Sequence, residues 1–248
     1  MTTPRWGLFA GVTILAVTAL VGLAHATQRA LTEAEADLAR PEAVPPEVRL
    51  PAGLSPGDSM ALFANVIVSH GVFGLGILGV AWYAQIPSTA LGLETLTARS
   101  LGLGIALGVG LYATNEAAAR LAKRFGLTQA ERLRELLAPT SVTGWVVLLG
   151  GVLPVIAVVE ELLFRGALIG AIAAGYPVPI WGLAVVSSIA FGLGHGLQGP
   201  GGVIVTGSLG FVLAATFVVT GSLATVIVAH YLINALEFVV HEGPADLG

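Results

Sequence analysis

The sequence predicts an all-α protein, a polytopic transmembrane helical bundle of about seven membrane segments. Three observations predict it. Hydrophobic residues make up 55% of the 248 residues and there are 33 glycines besides, whereas soluble domains hold about 45–50% of the two classes together. Charged residues reach only 10%, against about 25% in an ordinary soluble domain. The apolar residues also fall in continuous runs of roughly 20, the length that crosses a bilayer as a helix. A β-barrel would show short alternating strands instead.

Composition excludes other classes. A net charge of −4 with 11 Lys plus Arg does not suit a nucleic-acid binder. The absence of cysteine removes disulfides, thiol catalysis and Cys-ligated zinc. The partners that remain are the lipid bilayer and membrane-associated molecules.

In chain order, the runs are Leu8–Ala26, Met60–Ala84, Ser100–Ala119, Val142–Gly175, Pro179–Leu197, Gly202–Thr220 and Ser222–Val240. The first has a rival reading, because Arg5, the apolar run and Ala24-His25-Ala26 resemble a signal peptide with an A-x-A cleavage site. Loop charge favours a retained helix. Residues 27–58 carry Arg29, Arg40 and Arg49, and residues 120–141 carry Arg120, Lys123, Arg124, Arg132 and Arg134. Both loops belong in the cytoplasm by the positive-inside rule, with the N-terminus outside and the C-terminus inside. Thr32 with Glu35, and Thr128 with Glu131, fit the capping box that opens a helix. Leu127, Leu133, Leu136 and Leu137 could form an apolar stripe on the membrane face, although a plain solvated connector is the reading favoured for the whole stretch. The chain divides into residues 1–141, membrane segments with cytoplasmic amphipathic loops, and residues 142–248, which carry the chemistry. The small residues of Gly102–Gly110 permit close helix contact.

The fourth run is 34 residues long, about 50 Å as a helix and too long for one span. Gly150-Gly151 and Pro154 are expected to break or kink it.

Glu160, Glu161 and Arg165 stand inside that run. Unpaired, three such charges would cost on the order of 8–10 kcal/mol, so they must face protein or a water-filled cavity. Glu161 and Arg165 are four apart and can pair on one helix face, whereas Glu160 points about 100° away and stays free. The fifth run adds Phe191 and His195, and the seventh adds His230 and Asn234, each pair four apart and on one face. Glu160 lies 17 residues before Pro177 and His195 lies 18 after it. Both are therefore about 25 Å from the turn and at one level. His230 and Asn234 can converge with them towards the cytoplasmic half. His70 reads as an interhelical hydrogen-bonded contact, and His25 and His241 as interfacial groups.

Glu160-Glu161-Leu162-Leu163-Phe164-Arg165 resembles the EExxxR motif of the CAAX-protease and bacteriocin-processing (CPBP) family of intramembrane proteases. Phe191 to His195 resembles its FxxxH motif, and His230 to Asn234 its HxxxN motif. The resemblance spans about residues 142–240. It implies an intramembrane endopeptidase like the prenyl-protein endopeptidases, acting on prenylated CAAX-type or other membrane-associated substrates. Under it, Glu160 and His195 activate a water, His230 and Asn234 donate to the oxyanion, and Glu161, Arg165 and Phe191 support the site. The family is often labelled metalloprotease, and Glu160, His195 and His230 are acceptable zinc ligands. The same residues also serve a metal-free mechanism, the expectation taken here, with no HExxH helix to argue otherwise. Two alternatives are a non-catalytic immunity or scaffold protein and an ion-coupled transporter. The second expects an inverted repeat with interrupted helices, which the sequence does not show.

Overall fold

The computed structural model describes residues 3–38, 56–93, 96–124, 134 and 137–243. These form seven helical segments and no strand among the described residues: α1 (Trp6–Leu38), α2 (Pro56–Tyr83), α3 (Ala98–Arg124), α4 (Val142–Gly175), α5 (Ile180–Gly194), α6 (Gly199–Thr220) and α7 (Leu223–Glu242). Five of the described helices, α1, α2, α4, α6 with its preceding turn, and α7, are long and apolar enough to cross a membrane. Large apolar side chains also point outward, among them Leu15, Leu75, Trp82, Ile204 and Val219. In water such a surface would be an aggregation liability; in lipid it is the solvated face. The protein is an integral membrane protein.

Two segments depart from the expected spans. α3 is not among the helices that meet the spanning criterion, because Arg99, Glu116, Arg120, Lys123 and Arg124 crowd its ends. α5 ends at Gly194 after 15 residues, about 22 Å of helix and short of a full crossing. His195 therefore caps α5, with φ −100° and ψ 26°, rather than lying within a longer span.

α4 is not broken. The backbone stays right-handed helical at each internal junction, at Val147, Val152, Glu161 and Ala171. It widens into a π-helix over Leu148–Val152 and again over Leu162–Ala171. The first stretch holds Gly150 and Gly151 and ends just before Pro154. Proline lacks an N–H and clashes with the carbonyl four residues back; the wider turns ahead of it absorb both defects without ending the helix. The second stretch carries Arg165. Its Phe164 carbonyl accepts the buried Ser187 hydroxyl of α5 at 2.8 Å, so a cross-helix donor serves a group on the irregular ladder.

α1 packs into the main core. Phe9 is 2% exposed, and Ala10 and Val17 join it in the cluster formed with α4, α5 and α7. Trp6 lies against Gly175, where any Cβ would stand 2.7 Å from the indole. The Arg5 N–H donates to the Ala84 carbonyl at 2.8 Å, and its guanidinium lies over the Tyr83 ring. Thr32 and Glu35 open no second helix, because α1 runs unbroken from Trp6 to Leu38. The stretch from Ala24 is rich in Ala, Leu and Glu and meets no Pro or Gly before Pro41, so nothing in it stops a helix. Thr128, Glu131, Leu127, Leu133 and Leu136 lie outside the described residues.

α3 positions α7, the helix of His230 and Asn234. Its Gly104 and Gly108 are pressed against α7: a Cβ on Gly104 would stand 2.7 Å from the Thr225 carbonyl oxygen, and one on Gly108 would stand 2.9 Å from that of Ala229. Gly102 and Gly110 meet nothing, so only one face of the small-residue run is used. Gly221, with φ 65°, ends α6 in the left-handed conformation, which glycine adopts without steric cost. The Ser222 side chain then caps α7 by accepting the Thr225 N–H.

Candidate active site

The site is built around one buried oxygen. Glu161 and Arg165 are both fully buried, and Arg165 Nη1 donates to Glu161 Oε1 at 2.9 Å. His230 Nδ1 donates to the same oxygen at 2.7 Å. Arg165 Nη2 donates to the Gly210 carbonyl of α6 at 2.9 Å. A buried ion pair needs such extra bonds, since desolvation otherwise outweighs the Coulomb gain. The cluster thus joins α4, α6 and α7.

That arrangement fixes His230. With Nδ1–H given to Glu161, Nε2 is the nitrogen that faces Glu160, whose Oε2 lies 3.7 Å away. Glu160 Oε2 is buried with no hydrogen-bond partner among the described residues. The expected division between a paired Glu161 and a separate Glu160 is what the geometry contains, with His230 standing between them. Two carboxylates against one guanidinium leave one negative charge, so a single proton held by His230 or Glu160 makes the cluster neutral.

His195 is fixed by a different bond. Its Nδ1 lies 2.8 Å from the Phe191 carbonyl; a carbonyl can only accept, so Nδ1 carries the proton and neutral His195 presents a bare Nε2. The Phe191 ring lies tilted against that imidazole at 4.6 Å between centroids and meets the His230 ring edge-on at 5.9 Å. Arg165 lies 4.6 Å above the same ring and Phe164 meets it edge-on. Phe191 is therefore the apolar partition on which both imidazoles and the guanidinium rest.

Glu160, His195, His230 and Asn234 all line one cavity of about 410 Å³. Its apolar wall comes from α2 through Phe63 and Val66, and from α4 through Val152 and Ile156. Asn115, Arg134 and Glu237 also line it, and sequence reasoning singled out none of them as site residues. Glu237 was findable, seven residues after His230 and three after Asn234, on the same helix face. Asn115 was findable as a lone amide in an apolar run. Arg134 was read only as a loop charge; it pairs with Glu237 at 2.7 Å and Glu242 at 2.8 Å. Leu137 is in the cavity wall too.

The other histidines lie elsewhere. His70 Nδ1 donates to the Val66 carbonyl of its own helix at 3.1 Å, and so makes a local bond where an interhelical one was expected. His241 Nε2 lies 3.1 Å from Glu116 Oε2, joining α7 to α3, and His25 is exposed on α1.

Among the described residues no three His, Asp or Glu side chains gather closely enough to hold a metal ion. As arranged, Glu160, His195 and His230 do not fit as a zinc ligand set.

Residues 142–236 match the family model described as Type II CAAX prenyl endopeptidase, Rce1-like. No curated protein and no solved structure matches the chain.

Proposed function

We propose that this protein, whose residues 142–236 match the Rce1-like type II CAAX prenyl endopeptidase family model, is an intramembrane endopeptidase. On this reading it hydrolyses a peptide bond of a membrane-associated substrate with water activated by Glu160. The observation that carries the reading is the single cavity shared by Glu160, His195, His230 and Asn234, polar groups delivered by three helical segments into an apolar molecule.

Each group has a task its surroundings suit. Glu160, whose Oε2 makes no hydrogen bond among the described residues, serves as general base, taking a proton from water as the water oxygen attacks the carbonyl carbon. His195, with Nδ1–H given to Phe191, offers Nε2 as the acceptor that orients that water. The oxyanion is met by Asn234, whose amide donates at any pH, and by His230 in its doubly protonated form, since Nδ1–H is already given to Glu161. Each such donor contributes about 3–4 kcal/mol to a developing oxyanion in a dry site. Glu160 then returns the proton to the leaving amine as the C–N bond breaks. The support for a cytoplasmic opening is the positive-inside count, which places residues 120–141 inside, together with Arg134 and Leu137 of that stretch in the cavity lining. The cell membrane is the proposed location, and lipid-modified CAAX-type chain ends are the proposed substrates.

The test is a cleavage assay with purified protein in lipid, using matched prenylated and unprenylated peptides read by mass spectrometry. The expected result is one defined cut that survives chelator treatment. Failure to cut any peptide would return the scaffold and transporter readings, and loss of cutting on chelation would overturn the metal-free step.

A further inference from the structure

α6 carries no ionisable side chain and none of the motif residues, yet it reaches the buried cluster at one point. That point is Gly210. Resting on the proposed endopeptidase reading, we infer that Gly210 is a positioning residue for the hydrolysis, setting the pose of His230 by its carbonyl and by its lack of a side chain.

Two lines of contact run from Gly210 to the same imidazole. The polar one starts at the Gly210 carbonyl, which accepts Arg165 Nη2 at 2.9 Å. Arg165 Nη1 donates to Glu161 Oε1, and that oxygen accepts His230 Nδ1–H. The guanidinium is planar and its fork is rigid, so fixing one terminal nitrogen fixes the direction of the other. The steric line runs through Phe191. A Cβ on Gly210 would stand 2.9 Å from Phe191 Cδ1 and 3.3 Å from Arg165 Nη2, the first closer than side-chain carbons come to one another in folded proteins.

The open space beside Phe191 is the cavity that it shares with both histidines. Phe191 is 3% exposed, with Arg165 over its face, Phe164 at one edge, and the rings of His195 and His230 beside it. A methyl group on Gly210 therefore displaces the ring towards the two histidines or pushes the guanidinium off its carbonyl. Either motion moves a group that holds His230. Gly207, one helical turn earlier on α6, is the natural control: a Cβ there would meet the Ser188 carbonyl at an ordinary 3.5 Å.

The experiment compares wild type, Gly210→Ala, Gly207→Ala and the double variant Gly210→Ala/Phe191→Leu in the peptide-cleavage assay. Misplacing a group by an ångström reduces rates by up to about 100-fold. Gly210→Ala is thus expected to lower kcat on the order of 10- to 100-fold with KM little changed. Gly207→Ala should keep wild-type kcat. Trimming Phe191 in the double variant vacates the space that the new methyl needs, and should raise kcat above that of Gly210→Ala. Wild-type kcat in Gly210→Ala, or no recovery in the double variant, overturns the proposal. If Gly210→Ala cannot be isolated folded, the double variant must be; failure of both to fold also overturns it. Histidine ¹⁵N spectra separate this result from the wider reading. A changed His230 Nδ1 signal in Gly210→Ala, with none in Gly207→Ala, is expected even if no peptide is ever cut, and an unchanged signal rejects Gly210's role alone.

Discussion

His230 Nδ1 and Glu161 Oε1 lie 2.7 Å apart, and that contact decides which nitrogen of His230 faces the cavity. Glu161 is held in turn by Arg165, so a carboxylate outside the cavity lining governs a histidine that lines it. Such a carboxylate behind a histidine fixes both tautomer and ring orientation.

Glu161→Met should therefore be costly twice. It leaves the Arg165 guanidinium buried without its counter-charge, and breaking a buried pair in this way destabilises by about 3–5 kcal/mol. It also frees His230 to turn. Thermal unfolding in detergent should show a large drop in Tm, and the double variant Glu161→Met/Arg165→Met should recover much of it. Recovery of stability without recovery of cleavage is the predicted pattern, because the ion pair can be replaced by packing but the hydrogen bond to His230 cannot.

Asn234 lines the cavity beside His230 and is only half-buried. Asn234→Ala should lower kcat about 100- to 1,000-fold, the loss expected for one oxyanion donor, with Tm close to wild type. Asn234→Asp places an acceptor where a donor is needed and should be worse than Ala in kcat. Steady-state kinetics on the two variants, with unfolding as the companion measurement, checks both statements.

The α3–α7 contact tests how the site is held from outside the matched domain. Gly108→Val would drive a side chain into the Ala229 carbonyl and Leu232, and overpacking of this kind costs about 1–3 kcal/mol. It should lower Tm and kcat together. Gly110→Val, at a glycine with open space around it, should change neither.

Much of this site was legible in the sequence because charge in lipid is so unfavourable. Glu160, Glu161, Arg165, His195, His230 and Asn234 stood out by being polar in apolar runs, and the four-residue spacing correctly paired Glu161 with Arg165. Helical rise placed Glu160 and His195 at one level, and both line one cavity. What escaped was chemistry carried by the backbone. The Gly210 carbonyl has no sequence signature, and neither does the Phe164 carbonyl served by Ser187. Of the break or kink expected in α4, the break is absent and π-helical turns stand in its place, because Gly-Gly and Pro signal disruption without saying whether the ladder ends or only widens. The end of α1 was misread for the opposite reason: a capping pattern is satisfied by many helix-interior sequences, and only a stop signal decides.

The central claim is that Glu160 is the base that activates water, and Glu160→Gln tests it most directly. Glutamine keeps the shape of the side chain and removes its ability to take a proton. The account predicts that purified, folded Glu160→Gln binds peptide as wild type does but cuts it at least about 100-fold more slowly, the scale of positioned general-base catalysis. Cleavage by that variant at the wild-type rate would contradict it.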